Sequence, residues 1–147
     1  MSISPTQQSG VWTCLPFSSE AIFIPSDAWI GFDLDGTLAR TDNPGHFQPP
    51  YPLGEPRLDM LEAAKRLIKE GITVKIFTAR ACEPAAIPAV QAWAEKHGLG
   101  PLEVTNKKDY ALLRFYDDRA IPFPMKNLSS GVPASSPPLE AHPLCSI

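Results

Sequence analysis

A chain of 147 residues with 44% hydrophobic and 20% charged residues fits one globular domain, which buries roughly two-thirds of its unfolded surface. A formal net charge of -3 excludes a strongly basic surface for nucleic acid or anionic membranes, so an acidic ligand would need a local site. Three cysteines without C-x-x-C spacing argue against a disulfide framework and a structural zinc, and the first basic residue is Arg40, which is atypical of an export signal. We therefore expect a cytoplasmic protein without a membrane segment.

Apolar patterning predicts the main domain at residues 29–125, after an N-terminal extension at 1–28 and before a Pro/Ser-rich tail at 126–147. Within the extension, residues 21–25 have the composition of a short strand at the domain edge. The nearly continuous apolar run at 29–34 predicts the first strand of the domain, buried on both faces. The run stops at a turn, Asp35-Gly36-Thr37.

Two helices and a second strand are predicted next. The first helix covers 56–70 and stops at Gly71, the second strand covers 73–77, and the second helix ends at Gly98. The residues at helical spacing are Met60, Ala63, Ala64 and Leu67 in the first helix, and Val90, Trp93, Ala94 and His97 in the second.

Further strands are predicted at 102–105 and 112–116, with a short edge strand at 121–124. Strands that alternate with helices indicate an α/β fold with a mainly parallel sheet. The stretch 39–55 is too short for a further domain, so we expect a flap there that places His46, Phe47 and Tyr51 beside the site entrance.

Polar residues follow four of the predicted strands, at the sheet edge where parallel sheets bind ligands. They are Asp33 and Asp35 after the first strand, Thr78 after the second, Lys107 and Lys108 after the third, and Asp117 and Asp118 after the fourth. Clustered carboxylates repel one another unless a cation lies among them, and oxygen ligands favour a hard ion such as Mg²⁺. The hydroxyl and ammonium groups suit a phosphoryl group, so the pattern predicts phosphoryl transfer.

The segment Phe32-Asp33-Leu34-Asp35-Gly36-Thr37-Leu38 resembles the D-x-D-G-T signature of the haloacid dehalogenase superfamily. Three further motifs of that superfamily have counterparts in the same order: Phe77-Thr78-Ala79-Arg80, Lys108 before Asp109, and Tyr116-Asp117-Asp118-Arg119. The resemblance covers about 29–123, most of the chain. It implies a three-layer α/β/α sandwich whose predicted strands, numbered along the chain, lie in the spatial order 5-4-1-2-3.

The resemblance also implies an activity, that of a Mg²⁺-dependent phosphatase that forms an aspartyl-phosphate intermediate. Asp33 would be the nucleophile and Asp35 the acid/base, the latter favouring phosphate esters over dehalogenation. Thr78 and Lys108 would bind phosphate. The implied metal ligands are Asp33, the backbone carbonyl of Asp35, and Asp117. Asp118 would act on the metal indirectly, through a water molecule or by contacting the direct ligands.

Several alternatives stay open at this stage. Lys107 could replace Lys108, Thr78 could be a helix cap, Arg80 could be a surface charge or a substrate contact, and Arg119 is expected to pair with a carboxylate. A receiver domain would use similar residues, but in a different motif order.

The partner expected is a phosphorylated substrate, a small molecule rather than nucleic acid. The fourth motif nevertheless ends in Asp117-Asp118-Arg119, as the corresponding motif of polynucleotide phosphatases does, so a polynucleotide phosphatase is an alternative. A non-catalytic phosphate- or metal-binding module of the same fold is a further alternative. Because the flap is short, the site is either open to large substrates or covered by a second subunit of a homo-oligomer.

Overall fold

The computed structural model describes residues 8–41 and 48–123, which form a mixed α/β fold. The α/β class is thereby confirmed. The elements are β1 (Gly10–Cys14), β2 (Ala21–Pro25), β3 (Trp29–Phe32), α1 (Leu58–Lys69), β4 (Thr73–Phe77), α2 (Ile87–Lys96), β5 (Val104–Thr105) and β6 (Leu112–Tyr116). Two short 3-10 helices, Ala79–Cys82 and Pro84–Ala86, precede α2.

The main sheet has four parallel strands in the order β5-β4-β3-β6. These are the third, second, first and fourth strands predicted for the domain. The predicted order 5-4-1-2-3 differs because residues 121–123 form no strand, and Pro124 lies outside the described residues. Pro122 has no N–H to donate to a ladder, which is consistent with the missing strand. The strand β3, which leads to Asp33, is interior.

Both α-helices contribute to one hydrophobic core. Buried residues of α1, including Ala64 and Leu67, share this core with Val90 and Ala94 of α2. The predicted helices are confirmed, since α1 buries all four of its predicted apolar positions and Gly71 and Gly98 follow the two helices with φ near +85°. The sheet residues of this core are Ile30, Phe32, Val74 and Ile76, which alternate along β3 and β4 and therefore share one face.

The other face of the sheet has no α-helix among the residues that the structure describes, so a three-layer sandwich is not confirmed. Only six residues, 106–111, connect β5 to β6 at opposite edges of the sheet, whereas a helical crossover needs about a dozen. This connection supplies Asp109, whose Oδ1 accepts the indole N–H of Trp29 at 2.8 Å. Trp29 is 2% exposed, although it lies on the face opposite Ile30.

The N-terminal strands form an antiparallel hairpin, in which Val11 pairs with Ile24. The strand predicted at 21–25 is confirmed, whereas β1 was not predicted. Leu15 and Ile24 belong to the same hydrophobic core as the main sheet, and the Tyr116 hydroxyl donates to the Pro16 carbonyl at 2.7 Å. The hairpin therefore packs against the domain that begins at residue 29, although the sequence predicts that residues 1–28 are an extension of that domain.

Some predictions fall outside the described residues. The tail at 126–147 is one of them, and His46 and Phe47 of the predicted flap are others. None of the helices formed by residues 8–41 and 48–123 is long and apolar enough to span a bilayer.

Candidate active site

A tight turn after β3 carries the two aspartates of the D-x-D-G-T segment. The Asp33 N–H donates to the Tyr116 carbonyl at 2.9 Å, which continues the parallel ladder by one residue. The chain then folds back, because the Leu34 carbonyl accepts the N–H groups of Thr37 at 3.1 Å and Ala39 at 2.9 Å. The turn needs a positive φ at Gly36, which has φ +90°.

Three carboxylates converge at the ends of β3 and β6. One oxygen from each of Asp33, Asp117 and Asp118 lies within 4.8 Å of the other two. The buried Thr37 hydroxyl lies 3.4 Å from Asp33 Oδ2 and from Asp118 Oδ1, and it accepts the Asp118 N–H at 3.1 Å. A Cβ on Gly36 would lie 2.3 Å from Asp118 Oδ2, so only glycine leaves room for this carboxylate.

The cluster carries a strong electrostatic perturbation at Asp33. The pKa of Asp33 is raised to about 7, mainly by burial and also by the nearby Asp117 and Asp118, against an opposing hydrogen bond from the Leu34 N–H. A half-buried carboxylate with two acidic neighbours is unfavourable in its charged form unless a cation compensates.

The donor set fits a hard divalent cation. All three converging groups offer oxygen, as Mg²⁺ and Mn²⁺ prefer, and oxygen ligands alone do not select between these ions. The side chain of Asp35 is not part of this group, so the contribution predicted for Asp35 is restricted to its backbone carbonyl.

Asp35 instead forms a bidentate ion pair with Arg80. Arg80 Nε lies 2.7 Å from Asp35 Oδ2, and Arg80 Nη2 lies 2.8 Å from Oδ1. The Arg80 side chain is 3% exposed, so the alternative of a surface charge is wrong. Local sequence gives no signal of this pairing, because the two partners are 45 positions apart.

Thr78 ends β4 at the same rim. Its Oγ1 accepts the Arg80 N–H at 3.1 Å, which caps the 3-10 helix Ala79–Cys82, as the helix-cap alternative anticipated. Because this bond uses the oxygen as an acceptor, the hydroxyl hydrogen is free to be donated to a ligand. The capping role and the predicted phosphate-binding role are therefore compatible.

A cavity of about 670 Å³ joins these groups. Asp33, Asp35, Thr78, Arg80 and Asp117 line it. Tyr51 of the predicted flap also lines the cavity. Other lining residues, to which the sequence motifs assign no catalytic or binding role, are Cys82, Glu83, Asn106 and Arg119. Within the described chain no carboxylate lies within ion-pairing distance of the Arg119 guanidinium, so the expected pairing of Arg119 is not observed, and its backbone N–H donates to Asp117 Oδ1 at 2.7 Å.

The lysines predicted to bind phosphate lie outside the cavity lining. Lys108 Nζ lies 5.9 Å from the centre of the Phe115 ring, and both Lys107 and Lys108 are exposed. The Lys107 backbone stays next to the end of β5, since its N–H donates to Thr105 Oγ1 at 3.0 Å. Whether either lysine binds phosphate stays a prediction.

Comparison of the chain with protein-family models, with curated proteins and with solved structures gave no match. The resemblance to haloacid dehalogenases therefore rests on the four sequence motifs alone.

Proposed function

We propose that the protein is a Mg²⁺-dependent phosphatase of the haloacid dehalogenase type, which hydrolyses a phosphate monoester through an aspartyl-phosphate on Asp33. The observation that carries the proposal is the convergence, within 4.8 Å, of one oxygen each from Asp117, Asp118 and Asp33, the residue that begins the D-x-D-G-T turn. Thr78 lines the same cavity as the proposed nucleophile.

The reaction would proceed in two balanced steps. In the first, an Asp33 carboxylate oxygen attacks phosphorus, the ester P–O bond breaks, and protonated Asp35 gives its proton to the leaving oxygen. In the second, Asp35 takes a proton from water as that water attacks phosphorus, and Asp33 is released together with inorganic phosphate. A bound Mg²⁺ would neutralise charge on the carboxylates and the phosphoryl oxygens.

This chain's residues have separate tasks in the proposed reaction. The Thr78 hydroxyl donates to a phosphoryl oxygen. The Thr37 hydroxyl, 3.4 Å from a carboxylate oxygen of Asp33 and of Asp118, holds these two side chains in position. The cavity is far larger than orthophosphate and falls within the roughly 300–1,000 Å³ typical of small-molecule sites. We therefore propose a phosphorylated small molecule as the substrate, ahead of a polynucleotide end.

The decisive experiment measures hydrolysis of p-nitrophenyl phosphate with Mg²⁺ and with EDTA. We expect slow turnover that EDTA abolishes. Asp33→Asn should abolish turnover and phosphate incorporation, whereas Asp27→Asn, a change of the same type on an exposed turn, should leave both unchanged. Turnover by Asp33→Asn near the wild-type rate, or label mapped to another residue, would refute the covalent mechanism.

One observation favours a second candidate, a non-catalytic phosphate- or metal-binding module. Arg80 engages both carboxylate oxygens of Asp35, and a binding module would use this ion pair only as a structural link, with no proton transfer by Asp35. A binding module would take up Mg²⁺ and phosphate without hydrolysing any ester. Saturable binding of Mn²⁺ and phosphate, with no turnover across a panel of phosphate esters, would favour it over the phosphatase.

A further inference from the structure

Arg80 makes more contacts in the candidate site than the sequence motifs anticipate. Besides its two bonds to Asp35, Nη1 donates to the Tyr51 carbonyl at 3.2 Å and Nη2 donates to the Pro52 carbonyl at 2.9 Å. A guanidinium has five N–H donors, and these contacts use four of them. Arg80 therefore joins the turn after β3 to the Tyr51–Pro52 segment.

The backbone of Arg80 is fixed as well, because its N–H donates to Thr78 Oγ1 at 3.1 Å. One residue thus contacts Thr78, which is proposed to bind phosphate, and Asp35, which is proposed to transfer the proton. A guanidinium that is 3% exposed does not reorient freely in solvent, so these contacts restrict the direction of the Asp35 carboxylate.

We propose that Arg80 is a positioning residue for proton transfer. Its two-point contact with Asp35, held in place by the hydrogen bonds to the Tyr51 and Pro52 carbonyls, directs the Asp35 carboxylate toward the leaving oxygen of the substrate. The inference rests on the proposed phosphatase function. Arg80 acts through Asp35 and does not itself need to contact the phosphoryl group.

A direct phosphate contact by Arg80 is the competing explanation, since one N–H of Nη1 is left over. The two roles differ in what they change. A phosphate contact lowers affinity for every ester, whereas a positioned proton donor matters most for esters with a poor leaving group. Phenyl phosphate and p-nitrophenyl phosphate provide this contrast, because phenoxide is the poorer leaving group.

The test uses the full chain with Mg²⁺ and compares Arg80→Lys with wild type. Lysine keeps the charge but cannot form the two-point contact or brace both carbonyls. We expect kcat/KM, which reports only the transfer of the phosphoryl group to Asp33, to fall about 100-fold for phenyl phosphate and by less than about fivefold for p-nitrophenyl phosphate. Arg114→Lys makes the same change at an exposed arginine of β6 and should match wild type.

A double variant tests whether Arg80 acts through Asp35. If it does, adding Arg80→Lys to Asp35→Asn should cost little beyond Asp35→Asn alone. Equal losses of kcat/KM on both esters, or full additivity in the double variant, would overturn the positioning role. So would a fully active Arg80→Lys.

Folding is checked by circular dichroism and by Mn²⁺ titration of the acidic cluster, and Arg80→Gln is the second variant if Arg80→Lys does not fold. Failure of both variants to fold would assign Arg80 to stability and overturn the inference. Wild type that hydrolyses neither ester would remove the proposed function and this inference together. Wild type that hydrolyses both, with equal losses of kcat/KM in Arg80→Lys, would remove the inference alone.

Discussion

Asp33→Asn should stabilise the metal-free protein at alkaline pH, because it removes a charge that the fold disfavours. Burial, with Asp117 and Asp118 nearby, raises the pKa of Asp33 from 3.8 to about 7. Each pKa unit corresponds to about 1.4 kcal/mol, which gives an upper limit of about 4 kcal/mol. Asp33 is only half-buried, and solvent screening reduces the expected gain in unfolding free energy to about 1–2 kcal/mol.

The pH dependence of this effect has a defined sign. A carboxyl whose pKa is raised on folding keeps its proton in the folded state at a pH where the unfolded chain has lost it, so stability falls as pH rises from about 4 to about 7. Asparagine has no proton to lose. The advantage of Asp33→Asn should therefore be near its maximum at pH 8 and nearly absent at pH 4.

Urea denaturation in EDTA at pH 4, 6 and 8 measures this difference, with Asp27→Asn as the exposed control. Addition of Mg²⁺ at pH 8 should reverse the order, because the cation stabilises wild type through a ligand that the Asp33 variant lacks. If Asp33→Asn were less stable than wild type at pH 8 in EDTA, or if the difference did not change with pH, the carboxylates would not repel as described.

Three other substitutions have defined outcomes. Gly36→Ala places a Cβ 2.3 Å from Asp118 Oδ2 at a residue with φ +90°, so we expect calorimetry to show at least about tenfold weaker Mn²⁺ binding. Trp29→Phe removes the 2.8 Å bond to Asp109 and should lower the unfolding free energy by about 1 kcal/mol in urea titrations, and an unchanged value would show that the bond adds no stability. Leu67→Ala empties a fully buried position in α1 and should cost about 2–5 kcal/mol, and a loss below about 1 kcal/mol would contradict the close packing of this core.

The sequence predicts the helices and the strands of the main sheet well because their signals are local. The apolar spacing in α1 and the glycine that ends it lie within one stretch of chain, so no distant partner is needed to recognise the helix. The strand at 112–116 coincides with β6 for the same reason. Placing the motif residues at strand ends then brings Asp33 near Asp117 without knowledge of any contact.

The incorrect and missing elements depend on non-local features. The six-residue connection from β5 to β6 leaves no room for the helix that a third layer needs. The strand β1 lacks a periodic apolar pattern because its residues are largely exposed, and it is recognisable mainly through its pairing with β2, where the Trp12 and Phe23 ring centres lie 5.6 Å apart. Neither feature follows from residue propensities alone.

Asp33 and Asp35 lie two residues apart in one turn, yet the fold gives them opposite surroundings. Asp33 lies beside Asp117 and Asp118, so its charge is opposed by neighbours of the same sign and requires an external cation. Asp35 is held by a guanidinium 2.7 Å away, so its charge is balanced within the chain. A motif with two identical side chains therefore specifies two different groups, one beside carboxylates of the same sign and one paired with Arg80. In the proposed covalent mechanism a bound Mg²⁺ would offset the repulsion at Asp33, so that its ionised carboxylate attacks phosphorus while Arg80 holds Asp35 apart from the metal site.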